Sequence, residues 1–382
     1  MLEKTKERSK KIFRNFDPLD KKLFFRALYL SINIRIALFI VAYFVGRAIP
    51  KYYTPVSELI FQVAYKWDAR SFLYLSQYGY TNIGDERNFL AYFPLYPAMV
   101  NIFHYLTVTY MASALFVSFI ASVFAGYFLQ KLVLIDSDEE QANKSLWFFY
   151  LFPTAYFLTQ PYTESLFIAL IISSVFYARK SVWSVACILG MFACATRLQG
   201  LVILPTIMIE FYLQKEKKIS SLAWLGIIPL GFVSYLLINF YVAGNAFEFL
   251  KIQREHFFHQ NIFPTQQIWN TITTIFKDPT SEMKTLLQEA RLLAVIFSFI
   301  ILGISYKWMR ISYQFYAWCQ LIILLTDSWL MSLPRYLLPL FPIYIVLAKL
   351  SKKQEVYQTM IMISTIIMSG LFSLYVAGNW AF

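Results

Sequence analysis

What most constrains this chain is the recurrence of apolar stretches long enough to enter a bilayer. Runs of about 17 or more apolar residues repeat from Leu28 to the end of the 382 residues, separated by short polar breaks. Hydrophobic residues make up 58% of the sequence and charged residues only 15%, more apolar surface than a soluble domain needs. A backbone in lipid must satisfy its own polar groups, and the alternating strands of a barrel are absent. The expected fold is an all-α, polytopic membrane helical bundle.

Charge placement gives the topology. The net charge of +12 could suit nucleic acid, but its distribution argues for a membrane signal. Nine of the 34 basic residues precede residue 28. Others cluster between apolar runs at Arg179-Lys180, Lys215/Lys217/Lys218, Lys307/Arg310 and Lys349/Lys352/Lys353. With the N-terminus cytoplasmic, spans fall at about 28–48, 110–133, 145–161, 163–178, 182–197, 199–214, 221–243, 289–306, 313–331, 334–350 and 355–376. These eleven or so helices put every named basic cluster on the cytoplasmic side. The pairs 145–178 and 182–214 read as tight hairpins punctuated by Pro161 and Gly200.

Residues 1–27 form a basic cytoplasmic segment without the pattern of a cleaved signal peptide, and 28–382 a single membrane domain. Two longer outer loops remain, about 49–109 and 244–288. In the first, Leu95 to Leu106 is apolar but too short to span, as an interfacial helix would be. Cys187, Cys194 and Cys319 lie inside apolar segments, are odd in number and lack metal-ligand spacing, so they read as packing residues.

The ions that topology does not explain fall at the outer ends of spans: Asp68, Asp85, Glu86, Glu164, Arg197, Asp327 and Arg335. A charge in hydrocarbon costs roughly 2.5–3.5 kcal/mol even on the insertion scale. Seven at one face suggest a hydrated, charged cavity. Asp68, in Lys66-Trp67-Asp68-Ala69-Arg70, suits a general base at an apolar edge. It is equally a favoured cap for the helix that follows, and these residues leave both readings open. Glu164 in the first turn after Tyr162-Thr163 complements a helix dipole. Arg197 and Arg335 are costly where they stand, and guanidinium groups clamp phosphate through paired hydrogen bonds. Asp136-Ser137-Asp138 spells an acidic metal triplet but lies in a cytoplasmic loop. His256 and His259 lack a third ligand, so no metal site is assigned.

Several blocks together resemble one family. Trp67-Asp68, Gly79-Tyr80 and Ala91-Tyr92-Phe93-Pro94-Leu95-Tyr96-Pro97 come first. Pro153-Thr154-Ala155, Tyr162-Thr163-Glu164-Ser165-Leu166-Phe167, Thr196-Arg197 with Gly200, Ser332-Leu333-Pro334-Arg335-Tyr336 and Ala377-Gly378-Asn379-Trp380 follow in order. This series is similar to the glycosylphosphatidylinositol mannosyltransferase II family and its prokaryotic relatives, in the GT-C superfamily. Ala91-Tyr92-Phe93 departs from the two Phe expected before the proline. The resemblance implies a polyprenyl-phosphate sugar donor, an extracytoplasmic or lumenal site, an inverting mechanism and a catalytic acidic residue in the first outer loop. It points to Asp68 as that residue, with Glu86 second.

Such a reaction needs a carboxylate to take the acceptor's proton and cations to steady the departing phosphate. The expected site is therefore Asp68 and Glu86 for catalysis and Arg197 and Arg335 for the donor phosphate. Trp67, Tyr96, Tyr162, Glu164 and Tyr336 would line the substrates. The chemistry admits a divalent metal but requires no cofactor. The expected partners are the sugar donor, most simply carrying mannose, a lipid- or glycan-linked acceptor and membrane lipid. A flippase of lipid-linked glycans and a non-catalytic subunit of a larger complex are the rival classes. A flippase would carry ions at mid-membrane on both sides of a gate.

Overall fold

The computed structural model describes residues 17–48, 55–214, 219–258, 262–277, 282–326 and 332–381. Among these, every regular element is helical. Helix α1 (Pro18–Ala48) is followed by three short ones, α2 (Val56–Ala64), α3 (Asp68–Tyr78) and α4 (Leu95–His104). The chain returns through α5 (Tyr110–Val133), then α6 (Glu139–Tyr150), α7 (Glu164–Arg179), α8 (Trp183–Cys194) and α9 (Ile203–Leu213). Next come α10 (Leu230–Ala243), α11 (Glu248–Glu255), α12 (Pro264–Lys277) and α13 (Glu282–Ser305). Last are α14 (Ile311–Leu325), α15 (Leu333–Tyr336), α16 (Pro342–Leu350) and α17 (Gln354–Val376).

Among the described residues, five of the eleven or so expected spans are helical stretches long and apolar enough to cross a membrane: Pro18–Ala48, Tyr110–Val133, Ser220–Ala243 (the 3₁₀ segment Ile219–Ile227 followed by α10), Gln288–Ser305 and Gln354–Val376. Shorter apolar helices cover 183–194, 198–213 and 311–325. Two further expected spans are broken. The segment 145–161 ends its helix at Tyr150, passes Pro153 and becomes a 3₁₀ turn over Ala155–Thr159. The segment 334–350 splits into α15 and α16 around Pro339 and Pro342. Proline lacks the N–H that continues a helix and clashes with the preceding turn, so apolar patterning overstated these lengths.

Core packing follows from side-chain size. On α5, Ser113, Ala114, Val117, Ser118, Ala121, Ser122, Ala125 and Gly126 share the buried side. Small residues let helix backbones approach closely in lipid. Ser31 of α1 and Ser122 share a hydrogen bond of 2.9 Å, and the Gln130 amide donates to Leu23 O at 2.9 Å. Of the α5 span, 61% is buried, against 17–28% for the other four long spans, so α5 is the central helix. Helix α7 is apolar all round and buried along nearly its whole length, as such a helix must be.

Several basic groups are ion-paired towards the Arg179 end of α7. Lys22 pairs with Glu139 at 2.7 Å and Lys131 with Asp20 at 2.8 Å. Arg179 forms two bonds to Asp136, of 2.7 and 2.6 Å, and Arg310 binds Glu210 at 2.6 and 2.8 Å. The acidic triplet is thus structural: Asp136 holds Arg179, and Asp138 caps α6 by accepting from Gln141 N at 2.8 Å. Arg179 and Glu164 stand at opposite ends of one helix of 16 residues. At 1.5 Å per residue that puts them about 23 Å apart.

Gly231 shows how tightly α10 meets α8. A Cβ there would lie 1.8 Å from Met191 O. We expect Gly231→Ala to cost about 3 kcal/mol, the upper end for overpacking. Thermal unfolding of purified protein in detergent measures it; an unchanged midpoint would mean the helices separate freely.

Candidate active site

Four segments deliver charge to the end of the bundle opposite Arg179. Asp68 is the first residue of α3 and follows Trp67, whose φ of 44° is rare for a residue with a side chain. Glu164 begins α7. Arg197 is extended, in the turn between α8 and the 3₁₀ segment Leu198–Val202. Gly200 makes that turn possible, because a Cβ there would meet Ala193 O at 2.5 Å. Arg335 lies in the short α15, where the proline-interrupted segment turns.

These side chains form one ionic chain. Asp68 Oδ2 accepts from Arg335 Nη1 at 3.0 Å. Arg335 Nε donates to Glu164 Oε1, which also accepts from Arg197 Nη2 at 2.5 Å. Arg197 Nε donates to Thr163 Oγ1 at 2.7 Å, and the Tyr92 hydroxyl donates to Asp68 Oδ1 at 3.1 Å. Two anions thus balance two cations. Rings surround the guanidinium groups: Arg335 Cζ lies 4.5 Å from the Tyr162 centroid and 4.8 Å from Phe157. The Tyr336 ring lies 5.3 Å from Arg197 Cζ and 5.6 Å from Arg335 Cζ.

Exposure is graded along the chain. The side chains of Glu164 and Arg335 are 0% and 2% exposed, Arg197 is 12% and Asp68 28%. The ends of the chain, Asp68 and Arg197, are therefore the groups a ligand reaches first. Glu164 Oε2 is buried without a hydrogen-bond partner among the described residues.

Of the residues singled out in the sequence, Asp68, Glu164, Arg197, Arg335, Tyr162 and Tyr336 converge here. Asp68 is not a helix cap: both its oxygens are taken by Tyr92 and Arg335. Trp67 packs between Tyr375, 4.9 Å away, and Trp380, at 5.1 Å. Tyr162 contributes its ring, while its hydroxyl donates to Lys66 O at 3.0 Å. Tyr96 lies apart, fully buried, with its hydroxyl held by Ala114 O at 3.0 Å and Ser118 at 2.9 Å. It binds α4 to α5. Glu86 sits in the turn Asp85–Ala91 with its carboxylate over Gly84, and no bond ties it to the ionic chain. Asp327 and His259 lie outside the described residues. Tyr92 and Thr163 belong to the quoted motifs, yet only their folded positions reveal that they bond Asp68 and Arg197.

The family profile described as Mannosyltransferase (PIG-V) matches residues 42–321, most of the chain. The chain belongs to the PIG-V mannosyltransferase family. No curated protein and no solved structure matches it. Membership makes this a membrane glycosyltransferase that moves mannose, using a sugar donor and a glycan or lipid acceptor. Asp68, Glu164 and Arg197 lie inside the matched region of this PIG-V relative, and Arg335 beyond it.

Glu164→Gln should destabilise the protein by about 3–5 kcal/mol, because it strips the anion from between two buried guanidinium groups. Detergent unfolding midpoints would show it. A wild-type midpoint would mean that other groups hold the two arginines.

Proposed function

We propose that this chain transfers mannose from a polyprenyl-phosphate donor to a hydroxyl of a lipid- or glycan-borne acceptor, with inversion, on the extracytoplasmic face. The observation that carries this reading is the ionic chain, in which an accessible carboxylate stands one guanidinium away from a second carboxylate–guanidinium pair.

A polyprenyl-phosphate sugar brings an anionic leaving group that stays anchored in the bilayer. Its phosphate meets Arg197 first, the more exposed cation, with Arg335 behind it. As phosphate draws on Arg335, the Asp68 carboxylate is released from its partner. Asp68 then takes the proton of the acceptor hydroxyl, and the acceptor oxygen bonds to the anomeric carbon. The bond from that carbon to the phosphate oxygen breaks, and its electron pair stays on the phosphate. The phosphate gains one negative charge as Asp68 loses one, so the net charge of the site is unchanged through the step. Glu164 keeps the two arginines aimed at one place. No cofactor is required by these steps.

Two further observations support the membrane part of the reading. A largely apolar cavity of about 330 Å³ lies between α1, α2, α5 and the 159–160 turn, bordered by Leu38, Leu59, Val63, Phe119 and Gln160. Gln160 and Ala64 border it, each four residues before a member of the ionic chain, Glu164 and Asp68, and this is where the prenyl chain is proposed to lie. The lysine- and arginine-rich end is the cytoplasmic one by the usual bias, which leaves the ionic chain facing out.

With polyprenyl-phosphate mannose and total membrane lipid as acceptor, Asp68→Asn should lower turnover about 10³-fold, within the range of a lost general base. The donor KM should stay within a few-fold. Full activity of that variant would refute the assignment. Arg197→Ala should instead raise the donor KM by about tenfold or more, the loss of one charge-assisted phosphate contact. An unchanged KM would place the phosphate elsewhere.

A further inference from the structure

The turn that presents Asp68 is held from outside its own segment. Lys66 Nζ donates to Tyr375 O at 2.9 Å and to Val376 O at 2.8 Å, the closing carbonyls of α17. Tyr375 O also accepts from Gly378 N at 3.1 Å, and carbonyls at a helix end carry its negative dipole, so a cation is the natural cap. Next in the chain is Trp67, whose backbone is strained and whose ring is enclosed by Tyr375 and Trp380. Tyr162 donates to Lys66 O from the other side. The Tyr156 hydroxyl donates to Ala381 O, tying down the segment that carries Trp380.

We infer that Lys66 is a positioning residue for the transfer reaction: its grip on the end of α17 fixes the Trp67 turn and so aims the Asp68 carboxylate. This rests on Asp68 acting as the base. Lys66 touches neither reacting group. It acts through one strained residue, which explains why a membrane protein keeps a lysine half-buried here without a carboxylate partner among the described residues.

Burial pushes the Lys66 ammonium down to about 8. The titratable and charged groups around it are the phenols of Tyr375 and Tyr162 and, beyond Trp67, the Asp68–Arg335 pair. Below pH 8 the charged grip is present. As pH rises through that value the bonds to the carbonyls become neutral and weaker. The sign for stability is opposite. The folded value lies below lysine's usual ~10.4, so folding stability from this group rises between the two. A fall in turnover over that window is therefore not a loss of fold.

The test uses the full chain in detergent with polyprenyl-phosphate mannose and total membrane lipid. Lys66→Met should lower kcat roughly 10- to 100-fold at pH 7 with donor KM little changed, the scale expected for misaimed groups. It should also speed amide exchange across 374–381. Lys66→Arg keeps its charge throughout and can reach both carbonyls with its fork. It should recover much of the kcat lost in Lys66→Met and extend activity beyond the wild-type decline above pH 8, with thermal midpoints measured at each pH. Wild-type kcat in Lys66→Met, or the same alkaline decline in Lys66→Arg, overturns the inference. Retained turnover in Asp68→Asn would sink the base assignment instead, so the two failures are told apart.

Discussion

A single buried carboxylate organises the outer end of this protein. Glu164 accepts from both Arg197 and Arg335, and its side chain is fully buried. An unpaired ion there costs several kcal/mol, so three segments distant in sequence must meet at one point. Helix α7 supplies the anion, the Gly200 turn one cation and the broken segment at Pro334 the other. Asp68 joins as the fourth member through a second nitrogen of Arg335, with the Tyr92 hydroxyl on its other oxygen. Neutrality of the set is what lets it stay buried, and the gradient of exposure decides which members meet substrate.

The breaks in the helices matter as much as the helices. Irregular backbone is tolerated at membrane depth only where it is buried in protein or lines a cavity. Here the chain breaks its α-helices over 151–163, 195–202 and 337–341, and each break flanks or carries a member of the ionic chain. Prolines 153, 161, 334, 339 and 342 therefore place charges in the interior that continuous spans would have carried to the membrane faces. Thr154 shows the coupling directly, since its hydroxyl donates to Pro334 O at 2.9 Å and joins two of the breaks.

Much of this was legible in the sequence, for physical reasons that can be named. Apolar length and basic clustering located α5 and α17 to within a residue. The cost of charge near lipid singled out Asp68, Glu164, Arg197 and Arg335 before any of them had a partner. The sequence could not tell a buried helix from a broken one, because proline changes hydrogen bonding and not hydropathy. It could not separate Tyr96 from Tyr162 either, since both are aromatic beside a motif and only packing shows where each hydroxyl goes. Lys66 escaped notice because its partners lie about 310 residues away and are backbone carbonyls, which carry no side-chain signature.

The account depends on where a lipid phosphate binds. Density for polyprenyl phosphate, from cryo-electron microscopy of the protein incubated with it, is the most direct test. The phosphate should appear within hydrogen-bond reach of Arg197, beside Asp68, with the prenyl chain leaving between α1 and α2. A phosphate seated instead among Arg179 and Arg310, at the far end of the bundle, would contradict it.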